Sequence, residues 1–325
     1  MRALVCSELG SADKLSFGEV PDPQAGPGQV VLDVRAAGLN FPDTLIIEGK
    51  YQFRPDLPFV PGGEASGVVS SVGPEVSRFR VGDEVVAIGV SGAFAEKWAV
   101  DVTAVMPKPS SLDHRVAAGF GLTYGTSYYA LKQRATLRPG ETLLVLGAAG
   151  GVGSAAVDIG KAMGARVIAA ASTDDKLAYA AGLGADEGIN YATEDFRERI
   201  RELTEGRGVD VVYDPVGGDL TEPALRSMAW NGRFLVIGFA AGSIPEIPLN
   251  LPLLKGVSIT GVFWGAWTKR EPAASAANFA ELFSMVNSAA LHPQVSAIYP
   301  LDRYVEAFGA LTGRTAQGKV ILEVS

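Results

Sequence analysis

A glycine-rich turn between an apolar strand and a helix-length segment constrains the fold of this chain more than any other feature. The apolar run Thr142–Leu146 predicts a buried strand, and the segment 147–153 that follows it contains four glycines. Such a turn lets backbone N–H groups approach a pyrophosphate, and the next helix adds partial positive charge. Ala148 replaces the first glycine of the pattern G-x-G-x-x-G, which leaves open a tight turn without a ligand. The position between strand and helix favours a dinucleotide-binding loop.

The end of the next predicted strand indicates which dinucleotide would bind. Proteins that bind NAD usually place an acidic residue about twenty positions after the glycines, where it holds the ribose 2′-hydroxyl. Here the strand Arg166–Ala171 is followed by Ser172, and Lys176 and Tyr191 come soon after. A hydroxyl, a cation and a phenol suit a 2′-phosphate, so NADPH is favoured. The adjacent aspartates 174–175 leave a ribose contact, and therefore NADH, as the alternative.

The character of the sequence changes near residue 123. Before it, short β-branched runs are separated by Gly/Pro clusters such as Pro61-Gly62-Gly63, which predicts a small barrel or sandwich. After it, buried strands alternate with helical segments, which predicts a parallel sheet covered on both faces. A helical tail and a closing strand, Lys319–Glu323, are expected to return to the first domain. We therefore expect one domain to contain residues 1–122 and 265–325, and the other to contain 123–264.

Charge and cysteine content exclude several classes of protein. The formal net charge is −8 and no basic stripe is present, so neither nucleic acid nor an anionic membrane is an expected partner. A single cysteine, Cys6, cannot form an intrachain disulfide or a thiolate-rich zinc site, and it is expected in the core. The first residues lack the apolar segment of a signal peptide, and no uncharged run reaches bilayer length. A cytoplasmic protein is therefore expected.

Seven segments, in order along the chain, together resemble one known family. They are Gly-Leu-Asn-Phe-Pro-Asp at 38–43, Pro-Gly-Gly-Glu-Ala-Ser-Gly at 61–67, Val-Gly-Asp-Glu-Val at 81–85, Thr-Tyr-Gly-Thr at 123–126, Ala-Ala-Gly-Gly-Val-Gly at 148–153, Tyr-Asp-Pro-Val-Gly-Gly at 213–218 and Gln-Gly-Lys at 317–319. The sequence resembles the zinc-independent quinone oxidoreductase (zeta-crystallin-like) branch of the medium-chain dehydrogenase/reductase superfamily. The resemblance implies an α/β fold, with a β-rich GroES-like domain and a Rossmann domain built on a doubly wound parallel sheet. It also implies a homodimer or homotetramer that pairs through the strand near 258–262.

The same resemblance implies which residues bind NADPH. Ala149, Gly150, Gly151 and Val152 would cradle the pyrophosphate, while Ser172, Lys176 and Tyr191 would hold the 2′-phosphate. The remaining cofactor contacts would come from Asn40, Thr126, Phe239, Ala240, Phe263, Trp264 and Lys319.

The residues at the positions of zinc ligands in related alcohol dehydrogenases decide the expected reaction class. Asn40 stands where those relatives have a cysteine and Gly63 where they have a histidine, so no metal is expected. Reduction of a simple ketone needs an electrophile for the alkoxide that forms, whereas a conjugated carbonyl delocalises the arriving charge. We therefore expect an NADPH:quinone reductase. An enone or enoyl-thioester reductase, and an NADPH-binding structural or sensing protein with little turnover, remain alternatives.

Three residues are candidates for catalysis. Asn40 could hold the cofactor or the substrate carbonyl, or simply form a turn. Asp43 could act on the substrate, or cap a predicted helix over 44–48. The phenol of Tyr51 could donate to a quinone oxygen, or pack as a loop aromatic. Leu45 stands where several quinone-reducing relatives have a tyrosine, which leaves room for a bulkier or more apolar enone.

Overall fold

The computed structural model of the chain describes residues 1–324 and contains fifteen strands and ten α-helices there. The strands are β1 (Arg2–Val5), β2 (Ser16–Glu19), β3 (Gln29–Leu39), β4 (Glu64–Val72), β5 (Glu84–Ile88), β6 (Lys97–Asp101), β7 (Val105–Pro107), β8 (Thr142–Leu146), β9 (Arg166–Ala171), β10 (Glu187–Asn190), β11 (Val209–Asp214), β12 (Met228–Val236), β13 (Ser258–Gly261), β14 (Val295–Pro300) and β15 (Lys319–Glu323). The helices are α1 (Phe41–Ile47), α2 (His114–Tyr129), α3 (Gly151–Ala162), α4 (Asp174–Gly182), α5 (Phe196–Leu203), α6 (Thr221–Arg226), α7 (Asn250–Lys255), α8 (Trp264–Arg270), α9 (Pro272–Asn287) and α10 (Tyr304–Thr312). A π-helical turn, Ala130–Arg134, extends α2. No helix among these is long and apolar enough to cross a membrane.

The chain divides into two compact units. The first contains Met1–Leu122 and the segment from Gln294 onwards, and the second contains Thr123–Pro293. The sequence predicts that 265–293 belongs to the first domain, whereas the structure places this segment in the second unit. The reason is aromatic packing within that unit.

Helices α8 and α9 carry the aromatic side chains that hold segment 265–293 in the second unit. Trp267 stacks on Tyr129 of α2 with ring centroids 4.3 Å apart. Trp264 packs against Gly125 of the same helix and meets Phe279 edge to face at 6.3 Å. Burial of such rings is a large apolar contribution, and a sequence pattern does not show which partner covers them.

The first unit is β-rich, as predicted. Its main sheet has the strand order β14-β15-β3-β4-β5-β7, and β6 also pairs with β3. Cys6 is fully buried, as expected. The long strand β3 runs antiparallel to both β4 and β15, so its carboxyl end meets the first residues of those two strands. Residues next to Leu39, Glu64 and Lys319 are thereby brought to one place.

The second unit is a doubly wound parallel sheet, as predicted. Its six strands follow the order β10-β9-β8-β11-β12-β13, and each neighbouring pair is parallel. This is the strand order of dinucleotide-binding Rossmann domains, in which the ligand lies beyond the carboxyl ends where the order reverses. Here the reversal lies between β8 and β11. The edge strand β13 leaves Ile259 43% exposed, and the pairing of subunits through this strand stays a prediction.

Candidate functional site

The glycine-rich loop lies at the point where the strand order reverses. Gly147 follows β8 with φ +58, a conformation that favours glycine, and the Gly150 N–H donates back to its carbonyl at 2.9 Å. A Cβ at Gly153 would overlap that same carbonyl, so the first turn of α3 lies directly on the loop. The N–H of Ser154 makes the first helical bond, to Gly150 at 2.8 Å. The earlier N–H groups of the helix therefore have no partner within it, which fits a pyrophosphate.

A second loop, after β11, lies beside the glycine-rich one. Val216 occupies the space where a Cβ of Gly147 would fall. Buried Asp214 shapes this loop, since its carboxylate accepts bonds of 2.8 Å from the N–H groups of Val216 and Gly217 and from the Thr221 hydroxyl. Burial raises the pKa of Asp214, and these three donors counteract the rise. The ring of Phe239 lies against Gly217, and Ala240 donates to the Pro215 carbonyl at 3.1 Å, so both predicted residues flank the loop.

Two buried hydroxyls that the sequence analysis did not single out support the first turn of α3. The Ser127 hydroxyl donates to the carbonyl of Val152 at 2.9 Å and shares a 2.8 Å hydrogen bond with the phenol of Tyr213. Thr126, one residue before Ser127 on α2, is half-buried. Nothing in the sequence pattern marks Ser127, because a serine in an apolar helix gives no local sign of its partner.

The predicted 2′-phosphate residues meet at the ends of β9 and β10. The Lys176 ammonium donates to the Ser172 hydroxyl at 3.2 Å. Tyr191 lies at the same edge, because its N–H donates to the carbonyl of Ala171 at 3.1 Å. The carboxylate of Asp174 accepts a 2.7 Å bond from the side chain of Asn190. The Ser172 hydroxyl and the Lys176 ammonium therefore lie together at this edge, and both are groups that can donate to a phosphate.

Two predicted aromatic residues lie in different surroundings. Trp264 is buried against Gly125 and Phe279. Phe263 directly precedes α8 and is 58% exposed. Trp264 therefore packs in the interior of the second unit, while Phe263 presents its ring at the surface.

In the first unit, a buried polar cluster joins the end of β3 to the starts of β4 and β15. We call Asn40, Glu64 and Lys319 the ammonium cluster. The Lys319 ammonium donates to Asn40 Oδ1 and to Glu64 Oε1, each at 2.5 Å. Asn40 Nδ2 donates to the same Glu64 oxygen at 2.8 Å and to the carbonyl of Gly38 at 3.2 Å. The second carboxylate oxygen of Glu64 accepts from the N–H of Leu122 at 2.8 Å.

The ammonium cluster brings together two predicted residues, Asn40 and Lys319, and one that sequence reasoning missed, Glu64. Two sequence signals mark Glu64: it lies in the segment Pro-Gly-Gly-Glu-Ala-Ser-Gly, and it is the charged first residue of its strand, as Lys319 is of its own. The hydrogen bonds of the cluster also restrict what the Asn40 side chain can bind. Both N–H groups of its amide are already used, so this side chain has no free donor for a substrate carbonyl.

Asp43 adjoins the cluster, and its predicted role as the cap of a helix over 44–48 is wrong. Helix α1 begins at Phe41, because Asn40 is its N-cap and Pro42 stands in its first turn. Asp43 is the third helical residue, and its carboxylate accepts the Asn40 N–H at 2.8 Å. Burial raises the pKa of Asp43 to about 7, with Glu64 adding to the rise and Lys319 opposing it.

Tyr51, the third candidate for catalysis, lies in the loop after α1. Its side chain is half-buried. Burial raises the pKa of its phenol, and the charge of Asp43 adds to that rise. The phenol and the Asp43 carboxyl are therefore close enough to influence each other, and at neutral pH the phenol keeps its proton.

The donor set of the cluster does not fit a zinc ion. Zinc prefers cysteine, histidine and carboxylate ligands in a tetrahedral arrangement. Here the ammonium of Lys319 already lies between the Asn40 and Glu64 oxygens, and a second cation there would be repelled. Within residues 1–324, no group of three or more His, Cys, Asp or Glu side chains is arranged to hold a metal.

Comparisons with known proteins agree with both units. Residues 26–110 match the family model of the alcohol dehydrogenase GroES-like domain, and residues 151–281 match that of the zinc-binding dehydrogenase. A quinone oxidoreductase-like protein 2 homolog of Nematostella vectensis is 40% identical over 99% of this chain and 88% of its own. The chain belongs to the quinone oxidoreductase family of the medium-chain dehydrogenase/reductase superfamily. The segment 151–281 contains neither cysteine nor histidine, although the description of the matching family refers to zinc binding.

Two further relatives bear on cofactor and substrate. The structure of Escherichia coli quinone oxidoreductase complexed with NADPH superposes with a TM-score of 0.92, at 30% identity over the whole of both chains. A 2-haloacrylate reductase of a Burkholderia species is 34% identical over 98% of this chain and of its own. Both a quinone and an activated alkene are therefore represented among the substrates named for the relatives.

Proposed function

We propose that this protein is a zinc-independent oxidoreductase that uses NADPH to reduce a quinone. The observation that carries the proposal is the set of donors along the carboxyl edge of the parallel sheet. Backbone N–H groups at the start of α3 suit the pyrophosphate, and Ser172, Lys176 and Tyr191 suit a 2′-phosphate. When bound, NADPH supplies a hydride from C4 of its nicotinamide.

The residues proposed to hold the cofactor are those that the family resemblance implies. They are Thr126, Ala149, Gly150, Gly151, Val152, Ser172, Lys176, Tyr191, Phe239, Ala240, Phe263 and Trp264, of which Trp264 is buried and would support the site from the interior. The Lys176 ammonium beside the Ser172 hydroxyl supports phosphate over a ribose hydroxyl as the partner of this edge. Asn40 is proposed to orient the first unit's donors rather than to bind the cofactor directly.

Replacing Lys176 with methionine is expected to weaken NADPH binding about 10- to 100-fold, since a hydrogen bond to a charged group is worth about 1.5–3 kcal/mol. NADH lacks the 2′-phosphate, so its affinity should change little. Titration of the nicotinamide fluorescence measures both dissociation constants. Lys161→Met is the matched control, because Lys161 is an ion-paired lysine of the same unit. Equal losses for NADPH and NADH would contradict the proposed role.

The kind of electron acceptor is proposed from the residues of the first unit, whose donor set does not fit a zinc ion. Without a metal, an acceptor that delocalises the incoming electron pair into a conjugated system is the easiest to reduce. A quinone takes the hydride and a proton and becomes a hydroquinone. Asp43 is proposed to supply that proton, with Tyr51 beside it, because burial raises the pKa of Asp43 to about 7 and the carboxyl is therefore partly protonated near neutral pH.

Reduction of an activated alkene is the second candidate function. The 2-haloacrylate reductase relative favours it, and so does Leu45, an apolar residue where the family resemblance implies a tyrosine in quinone-reducing members. Quinone reduction and alkene reduction differ only in the acceptor atoms that receive the hydride and the proton. An enone takes the hydride at its β-carbon and the proton at its α-carbon. The scaffold and the hydride donor are the same.

A panel of acceptors distinguishes these functions. Purified protein is mixed with NADPH and, in parallel, 1,4-benzoquinone, 9,10-phenanthrenequinone, an alkyl enone and crotonyl-CoA, and the loss of nicotinamide absorbance is followed. Turnover with the quinones supports the proposal. Turnover confined to the enone or the thioester would make the protein a double-bond reductase. NADPH binding without turnover of any acceptor would contradict both enzymatic functions.

A further inference from the structure

We propose that Lys319 is a further catalytic residue, whose ammonium stabilises the negative charge that develops on the acceptor oxygen during reduction. This inference rests on the proposed function and assigns Lys319 to the acceptor instead of the cofactor. Glu64 and Asn40 are then positioning residues, because they act on the acceptor only through the ammonium that they hold.

The hydrogen-bond capacity of the ammonium cluster singles out Lys319. An ammonium has three donors, and two of them are used by Asn40 Oδ1 and Glu64 Oε1. One N–H therefore remains for another acceptor. Both N–H groups of the Asn40 amide already donate hydrogen bonds, and the Glu64 oxygens act as acceptors. Within the cluster, the remaining N–H of Lys319 is thus the donor available to a carbonyl oxygen.

The burial of the pair makes this charge effective. The side chains of Lys319 and Glu64 are 7% and 2% exposed. In such surroundings an ion–oxygen interaction is stronger than in water, and a fixed donor needs no reorganisation when the charge develops. The carboxylate of Glu64 holds the Lys319 ammonium in place through a 2.5 Å hydrogen bond.

The packing around the pair shows that the fold leaves space for it. A Cβ at Gly119 of α2 would overlap the aliphatic part of Lys319, and a Cβ at Gly38 would overlap the carboxylate of Glu64. A buried ion pair contributes little net stability compared with apolar residues of similar volume. The small contribution of the pair to stability therefore does not explain why a lysine and a glutamate are buried here. An electron acceptor that needs a positive charge nearby would explain it.

The proposed step balances without loss of the lysine proton. The hydride that bound NADPH would supply forms an O–H bond at one quinone oxygen, the ring becomes aromatic, and the opposite oxygen becomes an anion that accepts a hydrogen bond from Lys319. The proton that completes the hydroquinone comes from the carboxyl of Asp43 and is replaced from solvent. Lys319 is unchanged at the end, so its contribution is electrostatic.

Two variants separate catalysis from stability. Lys319→Met keeps the unbranched aliphatic part of the side chain but leaves the Glu64 carboxylate buried without its cation, so a lower thermal midpoint is expected. The double variant Glu64→Gln with Lys319→Met removes this uncompensated charge and should recover most of the midpoint. Lys97→Met, which removes an exposed ion-paired lysine of the same unit, is the control.

The expected result is a kcat for the quinone about 100-fold below the original in both Lys319 variants, the cost of losing one such donor. The NADPH dissociation constant, read from nicotinamide fluorescence, should change little in either. Recovery of kcat together with stability in the double variant would overturn the proposal and make the pair purely structural. A normal kcat in Lys319→Met would also overturn it. Failure of the unsubstituted protein to reduce any acceptor is a separate outcome, which would remove the proposed function and this inference together.

Discussion

An alanine at Gly153 is expected to raise the dissociation constant for NADPH by about 100-fold, the scale of effect that follows from a displacement of about 1 Å in a binding or catalytic group. The new Cβ would overlap the carbonyl of Gly147, so the glycine-rich loop and the first turn of α3 must move apart. The N–H groups at the start of α3 would then no longer converge on one point. Fluorescence titration with NADPH measures the loss.

Gly182→Ala is the matched control for this substitution. Gly182 is the last residue of α4 in the same unit, and a Cβ there has no neighbour within 4 Å. Alanine at such a site should leave NADPH binding unchanged and slightly raise stability, because it restricts the unfolded chain. If Gly153→Ala bound NADPH as well as Gly182→Ala does, the glycine-rich loop would not be the pyrophosphate site.

Replacing Asp43 with asparagine is expected to make the protein more stable than the unsubstituted chain at alkaline pH. Burial raises the pKa of Asp43 from 3.8 to about 7, so the folded state favours the protonated carboxyl. The stability that Asp43 contributes is therefore fully present below about pH 4, is lost as the pH rises towards 7, and stays lost above it. A shift of this size corresponds to roughly 4 kcal/mol. Asparagine has no such titration and still offers an oxygen to the Asn40 N–H.

Urea unfolding of the two proteins at about pH 4 and about pH 8 measures this difference. The gain in unfolding free energy on substitution should be larger at about pH 8 than at about pH 4, by roughly 4 kcal/mol. Asp302→Asn, which changes an exposed carboxylate of the same unit, is the control. The same gain at both pH values would show that Asp43 does not titrate as the structure indicates. Loss of quinone reduction in Asp43→Asn would support its role as the proton donor.

The sequence predicts strands best where an apolar run is bounded by turn residues. Strands β8 and β15 have the predicted ends, since Thr142–Leu146 and Lys319–Glu323 are each preceded by a glycine within two residues and are apolar along most of their length. Strand β12 begins at Met228, well before its apolar run Phe234–Val236. Asn231 adopts a positive φ inside this strand, and the pairing with β11 shifts register there. The local sequence around Asn231 therefore resembles a turn more than a strand.

The ammonium cluster shows why part of a site is not predictable from sequence. Glu64 and Lys319 are 255 positions apart and meet only because β3 pairs with both β4 and β15. No local pattern encodes that pairing, and each residue by itself resembles a solvated strand end. The glycine-rich loop is different, because strand, turn and helix are consecutive and the backbone geometry follows from the glycines.

Reduction of a quinone by NADPH on this protein is proposed to need no zinc. Steady-state NADPH oxidation with 1,4-benzoquinone tests this, using protein dialysed against a chelator and checked for zinc by atomic absorption. Rapid turnover by zinc-free protein is expected, unchanged when zinc is added back and much slower with NADH. Turnover that disappears on dialysis and returns with zinc would contradict it.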